Sequence, residues 1–221
     1  MELWGPRACF TAPYSKVERL SLPVPTPSAL RGLLAAIYCK PAEFHWTIDR
    51  IEVLNPIKFQ ACKRNEVTVK MTGTKPIDAD ANTTQRAMTM LKDVHYRVTA
   101  TMHPHIKGHA FENAIEDQMR RRMETGKCFF QPSFGIRECE CYFGPGDLHP
   151  DKKPIPVTQD FGLMTFDTHV PGTNDPGNAD LELSLYHCTM IDGVIQVPDY
   201  DSPAVLKIGS LPIVNGGAAD A

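Results

Sequence analysis

The segment His103-Pro104-His105-Ile106-Lys107-Gly108-His109 carries four side chains that could move protons or hold charge near neutral pH. A spacing of two puts His103, His105, Lys107 and His109 on one face if the preceding strand continues. Imidazoles that titrate near neutrality, with an ammonium beside them, suit proton transfer at a phosphate and neutralisation of its charge. Three imidazoles could also ligate zinc, but no cysteine or carboxylate stands close enough in sequence to complete such a site. A solvated loop with incidental histidines is the third reading. A second constellation is Arg120-Arg121-Arg122, followed by Lys127, Phe129-Phe130 and Arg137. Three consecutive helical residues spread over about 200° of circumference, which fits either a solvated helix end or phosphate contacts. Cations interleaved with aromatic rings suit backbone neutralisation combined with base stacking. Phosphate-loop, dinucleotide, zinc-protease and serine-hydrolase motifs are all absent from the sequence.

These residues need elements to position them. Met1 to Thr11 reads as a strand bent at Gly5-Pro6, and the proline-rich stretch 12–27 as a loop. Ser28 is the expected cap of a helix running to about Cys39, with Leu30, Leu33, Leu34 and Ile37 on one face. Phe44 to Leu54 is a strand, and the polar, basic stretch 58–92 a projecting hairpin. Val94 to Met102 alternates strictly and is a strand. Glu112 to Thr125 is a helix closed by Gly126, and Ile136 to Phe143 a further strand. Without the hairpin the order is βαββαβ, the ferredoxin-like pattern shared with RRM domains. After Gly144 the chain turns rich in Gly, Pro and Asp, with strands expected at 162–167, 181–190 and 194–198 and a hairpin turn at Asp192-Gly193. The expectation is therefore an α+β chain: a ferredoxin-like domain with a β-hairpin thumb over 1–143, and a small antiparallel β module over 144–221.

The 221 residues suffice for a buried core, and 42% hydrophobic with 22% charged residues excludes a disordered or fibrous chain. No apolar run approaches the roughly 18 residues of a membrane span, and the start lacks the pattern of a secretory signal. Seven cysteines without a CxxC pair suggest free thiols in a reducing cytoplasm. The net charge of −3 conceals an asymmetry. Residues 1–143 hold 20 Lys+Arg against 15 Asp+Glu, and residues 144–221 hold 3 against 11. A nucleic-acid surface on the basic part and a different role for the acidic part would produce that split.

Several segments together resemble a known family. WGPRACFTAP, KVERLSLPVPTPSALRGLLAAIYCKP, IDRIEVLNPI, KRNEV, LKDVHYRV and FQPSFGIREC, in this order, are similar to the Cas-five family of CRISPR effector complexes (RAMP superfamily), and most of all to its type I-C form. HCTMIDGVIQVP extends the likeness more loosely. The resemblance implies a ferredoxin-like domain with a thumb, a smaller C-terminal β domain, and a grip on the repeat-derived 5′ handle of CRISPR RNA at one end of a Cascade-type complex. It also implies metal-independent endonuclease cleavage of the repeat, in which a 2′-hydroxyl attacks the adjacent phosphate. The family uses a Tyr at the end of the first helix, matched by Tyr38, and a Lys-His pair near the start of the second. That pair falls on Ala114-Ile115, neither of which can move a proton. Either Lys107 and His109 substitute from upstream, or this member binds without cutting.

The residues expected at work are therefore Tyr38, His109 and Lys107 for catalysis. Lys16, Arg19, Arg31, Lys63, Arg64, Arg121, Lys127 and Arg137 are expected to contact RNA. The expected partners are the CRISPR RNA and the backbone and large subunits of an antiviral effector complex, with no cofactor, metal, membrane or small-molecule substrate. The alternative is an architectural subunit whose basic face docks protein neighbours.

Overall fold

The computed structural model describes residues 1–15, 17–73, 76–105, 108–168 and 181–211, with backbone only at 109–111, 181–182 and 210–211. Lys16 and Lys107 lie outside the described residues, and His109 is described by its backbone alone. Along the chain run β1 (Glu2–Ala8), β2 (Arg19–Leu20), α1 (Pro27–Ile37), β3 (Phe44–Val53), β4 (Phe59–Val67) and β5 (Thr83–Pro104). α2 (His109–Thr125), β6 (Tyr142–Gly144), β7 (Gln159–Asp167), β8 (Leu181–Ile191), β9 (Val194–Gln196) and β10 (Val205–Leu211) follow. The fold is α+β, a mostly antiparallel sheet with two helices among the described residues.

α1 begins earlier than Ser28. Thr26 is the N-cap: its side chain accepts from the Ala29 N–H at 3.2 Å, and Pro27 occupies the first helical position. A proline there has no N–H to leave unsatisfied, and its fixed φ suits the first turn. Ser28 hydrogen-bonds to the Thr26 hydroxyl instead, at 3.0 Å. Leu30, Leu33, Leu34 and Ile37 form the buried face of α1, as its spacing predicts. α2 starts at His109, three residues before the expected Glu112, and ends at Gly126 in the left-handed region (φ 68°).

β5 is a single strand of 22 residues. Its first half pairs with β4 from Val67↔Thr83 to Phe59↔Leu91, forming the expected hairpin. Its second half pairs with β3 from Val53↔Tyr96 to Phe44↔Pro104. β1 runs along the other edge, from Ala8↔Leu91 to Glu2↔Arg97, and β6 closes that side. Asp93, with φ 54°, marks the passage between the two halves.

The strand expected over Ile136 to Phe143 is replaced by a tight loop, with only Tyr142–Gly144 forming β6. Gly135 explains the difference. Its φ is 86°, and a Cβ there would lie 2.0 Å from the Cys9 carbonyl, so the chain turns against β1 instead of pairing beside it. Phe134, Ile136, Cys139 and Cys141 are buried from this loop. Beyond Gly144 the expected strands are present, and β9 pairs with β3 at Arg50↔Gln196, Ile51↔Ile195 and Glu52↔Val194. The sheet therefore runs unbroken from β6 to β10. The core spans both stretches, from Leu3, Leu30, Phe44 and Tyr96 to Tyr186, Met190 and Ile195.

Candidate nucleic-acid interface

The C-terminal end of α1 organises the basic and aromatic residues. Its last carbonyls have no partner inside the helix. The Phe129 and Phe130 N–H groups donate to Ala36 at 3.0 and 2.9 Å, and Arg122 Nη1 donates to the Ile37 carbonyl at 2.6 Å. These bonds fix the backbone of the 129–130 segment and leave its rings outside. Each of the two phenylalanines is 66% exposed, and the rings meet edge to face with centroids 4.4 Å apart. Lys127 and Arg137 are exposed nearby in sequence, as is Arg121, which hydrogen-bonds to Gln118. Two exposed rings on a rigid support, flanked by cations, can stack bases while the cations meet phosphates.

Tyr38, the residue after α1, is buried. Its ring lies 5.3 Å from Phe44, the Arg122 guanidinium sits 4.9 Å above it, and its carbonyl accepts from Trp46 Nε1 at 3.1 Å. His109 opens α2 thirteen residues before Arg122, about 20 Å earlier along the helix axis. Ile115, where the resemblance places the family's histidine, is 2% exposed and belongs to the core, whereas Ala114 is exposed.

The other expected cations divide into two groups. Lys63 is exposed on the thumb. Arg64 pairs with Glu66 and, at 3.2 Å, with Glu138. Arg86 reaches Glu66 at 3.1 Å, and Arg64 foremost, with Arg86 and Arg19, holds the Glu66 carboxyl below its usual range. Arg31 forms a two-point ion pair with Asp167 of β7.

Sequence reasoning missed a buried hub around Glu2. Arg97 Nη2 donates to Glu2 Oε1 at 2.7 Å, and His95 Nε2 and His149 Nδ1 donate to Oε2 at 3.0 and 2.6 Å. Burial alone would raise the Glu2 carboxyl, but these hydrogen bonds hold it down at about 2. Glu2, His95 and His149 lie close enough to hold a metal ion. The protons argue otherwise. Lys152 Nζ stands 2.8 Å from His95 Nδ1 and must be the donor, so His95 carries its hydrogen on the nitrogen that faces Glu2. That nitrogen has no lone pair to offer, and the cluster is a closed hydrogen-bond hub fastening residues 146–152 to the sheet.

The model of the CRISPR-associated protein family Cas5, in its Cas5d form, matches residues 1–198. The chain belongs to the Cas5 family, in its type I-C form. Among curated relatives of this Cas5 chain is the CRISPR pre-crRNA endoribonuclease Cas5d of Mannheimia succiniciproducens, 36% identical over 230 residues (94% of this chain, 97% of the relative). The protein of the same name from Thermus thermophilus is 37% identical over 215 residues, covering 90% of each chain. Two solved structures share the fold. One is described as a CRISPR-associated protein (TM-score 0.63, 22% identity, covering 93% of this chain and 94% of that one). The other is a functionally uncharacterized Streptococcus mutans protein (TM-score 0.61, 23% identity, with the same coverage).

Proposed function

We propose that this Cas5 protein binds the repeat-derived 5′ handle of CRISPR RNA inside a Cascade-type effector complex and cuts the precursor RNA without a metal. The observation that carries the reading is the Phe129–Phe130 pair, clamped to the end of α1 and set out in solvent among exposed cations. The named activity of the two curated relatives, matched over at least 90% of this chain, accords with it. Residues 1–143 are read as a ferredoxin-like domain with a thumb. The strand order β6-β1-β5-β3, antiparallel throughout, with α1 between β1 and β3 and α2 between β5 and β6, supports this. Residues 144–221 are read as its β extension, whose acidic surface faces protein subunits. No helix among the described residues is long and apolar enough to cross a membrane, and a cytoplasmic location is proposed.

Incubation with the cognate repeat RNA in EDTA tests the proposal. Binding that weakens by about 10³-fold between 50 and 200 mM salt, as expected for some six neutralised phosphates, supports it. Absence of binding at low salt overturns it in favour of an architectural subunit.

A further inference from the structure

His45 of β3 stands opposite His103 of β5 in the strand register. Their rings stack with centroids 5.1 Å apart and planes 17° from parallel. His105 follows at the end of β5. Its backbone N–H donates to the Glu43 carbonyl at 2.7 Å, and its Nε2 lies 2.9 Å from His45 Nδ1. His103 is held from the other side: its Nε2 meets Thr47 Oγ1 at 2.8 Å, and Thr47 in turn faces Asp49. Two imidazoles are thus joined through their inner nitrogens, with the outer nitrogens, His45 Nε2 and His105 Nδ1, outside that bond.

The surroundings admit a substrate. β9 pairs with β3 only from Arg50 to Glu52, and the Asp49 carbonyl is met by the Val197 N–H, so among the described residues the His45–Ile48 stretch has an edge that no other strand pairs. A cavity of about 250 Å³ opens there between α1 and β3, with Arg31, Cys39 and His45 in its lining.

We propose that His45 and His105 form the proton relay of the cleavage step, an inference that rests on the RNA-processing reading above. The outer nitrogen of one ring takes the proton of the attacking 2′-hydroxyl. The inner N–H of that ring passes its hydrogen across the shared bond, and the outer N–H of the second ring protonates the departing 5′ oxygen. The bond from the 2′ oxygen to phosphorus forms as the bond from phosphorus to the 5′ oxygen breaks, leaving a cyclic phosphate and a 5′-hydroxyl. No proton is consumed, and the two rings exchange tautomers. Both rings must start neutral, and burial, with His103, His105 and Arg31 around it, lowers His45 to about 4. The relay also supplies the acid–base groups that Ala114-Ile115 lacks.

The test is single-turnover cleavage of repeat RNA in EDTA by the wild type, His45→Ala, His105→Ala and the double variant. A substrate with a 2′-deoxy nucleotide at the cut is included. Each single variant is expected to lose about 10²–10⁴-fold in rate while keeping its RNA affinity. The double variant should lose no more than either single one, because the rings act as a unit. His45→Gln, which can still hydrogen-bond but relays no proton, serves as the second variant and should be as inert as His45→Ala. Undiminished cutting by both single variants, cleavage of the 2′-deoxy substrate, or a loss that merely follows lost binding overturns the relay. A wild type that binds but never cuts also overturns it and leaves handle binding standing. A wild type that does not bind overturns the proposed function itself.

Discussion

Arg31 and Asp167 meet through two parallel contacts of 2.8 and 2.9 Å, joining α1 to β7 across 136 residues of sequence. The Asp167 side chain is only 4% exposed, and the Arg31 side chain is 26% exposed. An arginine so engaged is a clasp between the two parts of the chain and has its bidentate face already filled. Arg31→Ala should therefore lower stability by about 2–4 kcal/mol, because a nearly buried carboxylate loses its cation. RNA affinity of the folded variant should stay within about twofold of wild type. Urea denaturation alongside a binding isotherm separates the two effects, and a large affinity loss at unchanged stability would contradict this view of Arg31.

Phe129→Ala and Phe130→Ala should each cost about 1–3 kcal/mol of single-stranded RNA affinity, the usual worth of one stacked base. The backbone bonds to Ala36 survive either change, so the thermal midpoint should hold. Fluorescence anisotropy with a labelled handle RNA reads the first effect and differential scanning fluorimetry the second.

The exposed and the committed cations should differ in salt dependence. Removing Lys63, Lys127 or Arg137 should lower the slope of log affinity against log salt by about 1 each. Removing Arg64 should change that slope less, because Glu66 and Glu138 already hold its charge, and should loosen the thumb instead. A titration between 50 and 200 mM salt checks both.

Acid should act through Glu2. Its carboxyl is held at about 2 in the folded chain against an ordinary 4.5, so it stabilises the fold fully above about 4.5. That contribution, up to about 3 kcal/mol, is lost as pH falls from there through about 2. Glu2→Gln should flatten this part of the stability-against-pH curve and be less stable than wild type at pH 7. Denaturant midpoints measured from pH 2 to 7 decide the matter.

Much of the frame was legible because its signals are local. The αL stop at Gly126, the apolar face of α1, the thumb and the turn at Asp192-Gly193 all follow from neighbouring residues. The loop over 133–141 was not, since it rests on the close approach of Gly135 to Cys9, which only a residue without a Cβ permits and which joins positions distant in sequence. The same holds for the chemistry. His103 and His105 drew attention as a run, but their partner His45 joins them only through the β3–β5 register, which no local pattern encodes. Glu2 looks like a stray charge in an apolar strand until His95, Arg97 and His149 are brought round it.

The length of β5 has a consequence for how this chain tolerates insertions and deletions. The thumb lies before Asp93, so its tip can lengthen or shorten by whole residues without disturbing anything beyond. From Tyr96 to Pro104 every residue is indexed against β3. Adding one residue there would exchange the two faces of the strand, presenting Met102 and Pro104 where His103 and His105 now stand. The thumb end of the strand is free to vary in size, and the end that carries the histidines is counted to the residue.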